Sequence, residues 1–251
     1  NYLKSIFFLY SNKRLFSKVK TFHFVEFEPL SVIVAIILNF FFNKKIIFTV
    51  HSVTPTYVSN IFKNVVITIH RMIFFISVFF LNFSNSIIIV HSNFHKNVIK
   101  KIFKKKIFVI SWPCEKAKLK KNNKFSKKIL FFGIVREDKG LADFLKFHKF
   151  TNYKLNIYGK VIDKNIYNYN LNNVKIFDQY VSEKNIQNIF FQHDYLLLPY
   201  KKNYAGSSGP LFLAMSYGLP IISSKCPLFK NFFKKNKVGI HIPDKINLEE
   251  T

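Results

Sequence analysis

Acidic residues are scarce in this 251-residue chain: 13 Asp and Glu stand against 39 Lys and Arg, a formal charge of +26. Cysteine is scarcer still. Cys114 and Cys226 lie far apart with no ligand-like neighbours, which leaves no zinc site and no disulfide framework to expect and makes a reducing cytoplasm the default setting. The seven glycines build no P-loop and no Gly-x-Gly-x-x-Gly turn, and neither a His-Glu-x-x-His pair nor a nucleophile elbow is present, so covalent catalysis has no support. Long hydrophobic runs are missing as well. The longest, 31–42 and 72–81, fall short of the roughly 20 residues that cross a bilayer. Both read as buried core helices, with a membrane-surface face as the alternative. The chain opens on Asn1 and stops at Thr251 just after an apparent strand, which reads as truncation at both ends.

What is present is apolar and strongly ordered in pattern. With 49% hydrophobic residues the chain can bury one large or two ordinary cores, and disorder is not expected. The basicity has two readings: Lys, Asn, Ile and Phe are the residues of AT-rich codons and spread over any surface, or the surface is adapted to anionic lipid or nucleic acid. The charge is uneven, because twelve Lys and one acid, Glu115, lie between Lys100 and Lys128. No aromatic-basic recognition module accompanies it, so nucleic acid is the weakest of the partners to expect.

Strand-length apolar runs recur at 46–50, 87–90, 107–110, 129–132, 155–158, 174–177, 195–198, 220–223 and 238–242. Helical spacing lies between most of them, as in Leu141, Phe144 and Leu145 or Ile186, Ile189 and Phe190. Such alternation predicts parallel sheets covered by helices on both faces. The polar, aperiodic stretch 113–127 reads as a linker between a domain at 1–112 and one at 128–251, with a ligand cleft between them.

Three segments carry candidate chemistry. In SSGPLFLAMSYGLPIISS, 207–224, Gly209 is placed at an N-cap, Pro210 at the first helical position and Gly218 just past the end. The loop 204–208 then leaves the carboxyl end of a strand, and the exposed amides and dipole of the helix start suit a phosphate. In LFFGIVREDKGLADFL a glycine at a strand end precedes Arg136 and Lys139, a forked and a mobile cation for a diphosphate, unless Glu137 and Asp138 pair with them locally. In FTVHSVTP, His51 directly follows a strand, where an imidazole can meet a substrate hydroxyl or be a turn residue. His91, in IIIVHSNFHK, is the weaker candidate because Ser92 can be a helix cap there.

Taken in order, FTVHSVTP, IIIVHSNFHKNVIKKIF, LFFGIVREDKGLADFL and the segment from FDQYVSEKNIQNIFF through LPIISS resemble the family 4, or group 1, retaining glycosyltransferases of GT-B fold. The resemblance covers the chain from about residue 19 onward. It implies an α/β protein of two doubly wound Rossmann-like domains, a partial acceptor-side one and an incomplete donor-side one. It implies transfer of a sugar from a nucleotide-sugar to an acceptor hydroxyl with retention, without a bound metal or other cofactor. It further implies that Arg136 and Lys139 neutralise the donor diphosphate, that Gly133, Tyr200, Ser207, Ser208, Gly209 and Leu211 complete the donor site, and that His51 contacts the transferred sugar.

The departures matter. The family's Glu-x7-Glu pair falls on Ala205 and Leu213, the Arg expected after the loop glycine is Ile134, and Trp112 stands where His or Gly is common. The expected activity is that of a cytoplasmic enzyme of surface polysaccharide or lipid-linked glycan synthesis, resting peripherally on an anionic membrane. The alternative is a non-catalytic GT-B-like subunit or decayed enzyme.

Overall fold

The computed structural model describes residues 11, 17–27, 29–53, 60–112, 125–147, 152–169, 172–204, 206–235 and 237–242. The linker expected at 113–127 falls mostly outside them, as does Ala205. The chain forms two compact units: Asn1–Pro55, Ser59–Ser111 and Ala205–Ser207 make the first, and Thr56–Val58, Trp112–Tyr204 and Ser208–Thr251 the second.

The first unit holds a four-stranded parallel sheet in the order β1 (Thr21–Phe24), β2 (Lys45–Val50), β3 (Ser86–Val90), β4 (Ile107–Val109). Its helices include α1 (Pro29–Phe42), α2 (Ile61–Phe80) and α3 (Asn93–Ile99). β2 and β3 are central, so their inward residues Ile46, Phe48, Val50, Ile88 and Val90 are fully buried. Asn60 caps α2, its side chain accepting the Lys63 amide at 3.0 Å.

Two features of this unit differ from the sequence expectation. β1 is an added strand; its TFHF sequence is short and half-exposed and, among the described residues, pairs on one side only. The run at 72–81 is the last part of a 20-residue helix rather than a separate core element. Lys63, His70 and Arg71 interrupt the apolar run without interrupting the helix. Only the end of α2 is buried, at Phe74, Ser77 and Val78.

The second unit is a six-stranded parallel sheet. Its strands, in chain order, are β5 (Lys128–Phe132), β6 (Lys154–Tyr158), β7 (Val174–Phe177), β8 (Tyr195–Leu198), β9 (Ile221–Ser223) and β10 (Gly239–His241). The order across the sheet is β7-β6-β5-β8-β9-β10, the doubly wound arrangement in which the chain reverses direction between its first and fourth strands. Helices α4 (Leu141–Phe147), α5 (Glu183–Phe191), α6 (Gly209–Ser216) and α7 (Pro227–Lys235) cover it. Strands buried on both faces carry apolar residues at successive positions, as in Leu196, Leu197 and Leu198.

Candidate functional site

In a doubly wound sheet the two segments leaving the strands at the switch point diverge to opposite faces and open a crevice at the strand carboxyl ends. Here those strands are β5 and β8, hydrogen-bonded neighbours through Ile129 with Tyr195 and Leu130 with Leu196. The segment after β5 begins at Gly133, whose φ of 111° is open to glycine. A side chain built there would come within 3.5 Å of the Pro210 ring. Residues Glu137–Lys139 then form a single 3-10 turn, closed by Gly140 before α4 begins. The two cations thus sit on a tight turn one residue ahead of the helix.

That turn is tied to the segment after β8. The Lys201 amide donates to the Asp138 carbonyl at 3.2 Å, and the Lys201 ammonium donates to Glu137 Oε1 at 3.0 Å. Lys139 is mostly enclosed: its Nζ donates to the Tyr204 hydroxyl at 3.0 Å and lies 3.7 Å from the Tyr200 ring centroid and 4.4 Å from that of Tyr204. Burial pulls the Lys139 ammonium down to about 7, with Arg136 adding to the fall and Asp138 opposing it. A lysine so poised is readily converted to its charged form by an arriving anion.

Arg136 takes the local pairing that its neighbours allowed. Its Nε and Nη2 donate to the two carboxylate oxygens of Asp138 at 3.0 and 2.8 Å, and its side chain remains 47% exposed. The fork is therefore held rigid by an acid it must share with any phosphate.

Ser208, not Gly209, is the N-cap of α6, and Gly209 is the first helical residue. The hydroxyl can accept a bond from the first turn, which glycine cannot. Ser208 Oγ accepts the Leu211 amide at 3.4 Å and shares a 3.0 Å hydrogen bond with the Tyr200 hydroxyl. With Leu211's amide so held and Pro210 lacking one, the Gly209 amide is the donor that the helix start can turn toward an anion. Ser207 groups with the first unit; its amide and hydroxyl both donate to the His51 carbonyl, at 3.2 and 2.7 Å. Leu213, where the second family carboxylate is missing, is a half-buried residue of α6.

His51 follows β2. Its Nε2 donates to the Val25 carbonyl at 2.8 Å, and its Nδ1 lies 3.0 Å from Nε2 of His91. His91 in turn donates from Nδ1 to the Ile110 carbonyl at 2.9 Å, while Ser92 caps α3. The partnership of His51 with His91 and the cover that Tyr204 gives Lys139 are the features that motif reading missed. The repeated Val-His-Ser at 50–52 and 90–92 is the sequence signal for the first. Among the described residues no group of three or more His, Cys, Asp and Glu is placed to hold a metal ion.

Comparison with solved structures places this architecture. The sucrose-phosphate synthase of Thermosynechococcus elongatus matches with a TM-score of 0.70 at 16% identity over 95% of this chain and 65% of its own. An alpha,alpha-trehalose-phosphate synthase (UDP-forming) from Burkholderia vietnamiensis matches at 0.57, with 8% identity over 88% and 60%. The E. coli trehalose-6-phosphate structure matches at 0.54, with 11% identity over 88% and 62%. The chain therefore has the α/β GT-B fold and spans less than two thirds of the length of these relatives. No curated protein matches it in sequence. The model of the group 1 glycosyl transferases matches residues 115–251, more than half of the chain and all of the turn and loop just described; the chain belongs to the glycosyl transferases group 1 family.

Proposed function

We propose that the chain transfers a sugar from a nucleotide-sugar to the hydroxyl of a glycan or lipid-linked acceptor, with retention at the anomeric carbon, in cytoplasmic synthesis of a surface polysaccharide or glycan precursor. The observation that carries the reading is Lys139, held between Tyr200 and Tyr204 at the switch point of a doubly wound sheet. Departure of a nucleoside diphosphate develops negative charge on the bridging oxygen, and a cation already in place there lowers the barrier without reorganisation. Arg136 adds a second cation, and the Gly209 amide a dipole. The E. coli trehalose-6-phosphate structure, of the same fold, is bound with UDP-2-fluoro glucose, which supports a nucleotide-sugar as the ligand class.

In this reading His51 offers its ring to the transferred sugar, exchanging its bond to the Val25 carbonyl for one to substrate, and no metal or other cofactor is required. The test is binding of UDP-, GDP- and ADP-linked sugars by calorimetry, with Lys139→Ala and Lys139→Met as controls whose folding is checked by circular dichroism. Saturable binding to one nucleotide class, lost in both variants, is the expected result. A folded wild-type protein that binds none of them overturns the reading in favour of a non-catalytic GT-B-like subunit.

A further inference from the structure

A helix at the surface of a water-soluble unit buries one stripe and gives the other to polar residues. α2 does not. Its last turns are anchored to the core by Phe74, Ser77 and Val78. The side next to it carries Phe62, Val66, Ile69, Ile73, Ile76 and Phe80, all exposed, with Phe62 at 80% and Val66 at 65%. Their spacing of four, three, four, three and four residues keeps them in one stripe of an α-helix. Ile61, Val65, Met72 and Phe79, also exposed, lie beside the stripe and widen it to an arc of about 140°. The stripe continues one turn beyond the helix through Phe83, 63% exposed. α1 packs against α2 and adds exposed Phe40 and Phe41.

Positive charge dominates this part of the chain, with Glu26, next to the Phe27 that packs on Phe74, as an exception. Residues 31–111 hold ten Lys or Arg and no Asp or Glu. Two of them, Lys104 and Lys105, are brought to the carboxyl end of α2, with exposed Lys100, Lys101 and Lys106 next to them in the chain. Asn82 accepts the Lys104 amide at 2.7 Å and donates to the Ile102 carbonyl at 2.9 Å, and the Lys105 ammonium donates to the Ser84 carbonyl.

We infer that the exposed face of α2, with the lysines at its carboxyl end, is a docking surface for an anionic lipid bilayer. Hydrocarbon takes the Phe and Ile side chains, and the headgroups take the lysines, the two requirements of an interfacial helix. Nucleic acid meets the second requirement only. By length and composition 61–83 is apolar enough to cross a membrane. Crossing would draw Phe74, Ser77 and Val78 out of the core and carry Lys63, His70 and Arg71 into hydrocarbon. The helix therefore lies in the interface. The inference stands independently of the donor site, since every residue in it belongs to the first unit.

The test is flotation of the chain with vesicles of phosphatidylcholine alone or with about 30% phosphatidylglycerol. The variants are Phe62→Ser/Val66→Ser/Ile69→Ser and Lys104→Gln/Lys106→Gln, with thermal melts confirming that each folds. The expected result is partition to anionic vesicles that falls at least about tenfold in the serine variant, falls in the lysine variant, and is reversed by 1 M salt. The inference is overturned by wild-type protein that stays unbound with both vesicles, or by a serine variant that floats as well as wild type. A dimer in light scattering that the serine variant abolishes overturns it in favour of a second copy as the occupant, and retention through 1 M salt and alkaline carbonate in favour of a true span. Intact nucleotide-sugar binding in the serine variant separates this outcome from failure of the donor site.

Discussion

The Nδ1 of His51 and the Nε2 of His91 face each other at 3.0 Å, while the outer nitrogen of each ring rests on a carbonyl oxygen. Three such bonds need three N–H groups, and two neutral imidazoles carry two. Two neutral rings that each donate to a carbonyl therefore leave the third contact without a proton, and a proton added to both would set two cations side by side. Burial, with His51 adding to it, holds the His91 imidazole below its ordinary value, and the bond to the Ile110 carbonyl only partly offsets this. A histidine with a depressed folded-state value supplies stability above the free value of about 6.5 and loses it as pH falls through the depressed one. Thermal melts between about pH 5 and pH 7.5 should show acid destabilisation that is shallower in His91→Gln. An equal slope in the variant would remove the pair as its cause.

Lys139 predicts proton uptake. With its ammonium pulled down to about 7, the unliganded site is partly neutral at pH 8, and a diphosphate beside it restores the charge. Nucleotide-sugar binding should then take up a proton, and affinity should fall as pH rises above about 7. Calorimetry of the wild-type protein in buffers of different ionisation enthalpy reads this directly: the binding enthalpy should vary with the buffer at pH 8 and cease to vary well below pH 7, where the unliganded lysine already carries its proton. The same sign holds without ligand: the unfolded chain binds the proton more tightly between about 7 and 10.5, so the wild-type protein gains stability over that range and Lys139→Met does not.

Ser208 has two partners, the Leu211 amide it caps and the Tyr200 hydroxyl. Ser208→Ala removes the cap at a cost of about 0.5–2 kcal/mol. It also leaves the fully buried Tyr200 hydroxyl, whose ionisation burial already opposes, without that bond. Urea unfolding should register the combined loss. Ser208→Thr, which keeps both bonds, should recover most of it.

The sheets were the legible part of this chain because strands covered on both faces must be apolar throughout, and runs such as 46–50 and 195–198 announce that directly. β1 is not legible: at the edge of the described strands, with half-exposed residues, TFHF has no such constraint. α2 is longer than its apolar run because Lys63, Asn64, Thr68, His70 and Arg71 break a run without breaking a helix, and its exposure runs against the expectation of a core element. In the second unit the turn bearing Lys139 was visible as a motif. Its cover by Tyr204 was not, since 65 residues separate the two. His51 and His91 meet because Val50 and Val90 are register partners of adjacent parallel strands, which places the next residue of each side by side. Pairing of this kind follows from strand order, which no single motif contains.

Gly140 gives the sharpest test that the switch-point loops act as one piece. Its φ of 64° lies in the left-handed region, and a Cβ there would sit 2.3 Å from the Pro199 carbonyl oxygen and 3.3 Å from the Lys201 amide. Both obstacles are backbone, so no side-chain rotation relieves them. Gly140→Ala must push the Glu137–Lys139 turn away from the segment after β8, stretching the Lys201 amide bond to Asp138 and withdrawing Lys139 from its two tyrosines. The left-handed conformation alone costs about 1–3 kcal/mol for a residue with a side chain, and the displaced turn adds to it. Urea unfolding should show at least that loss, and the drop in nucleotide-sugar affinity should exceed what the lost stability explains at temperatures where the variant is fully folded. If Gly140→Ala binds donor as wild type does while folded, the enclosure of Lys139 is not what the ligand reads, and Arg136 becomes the principal cation of the site.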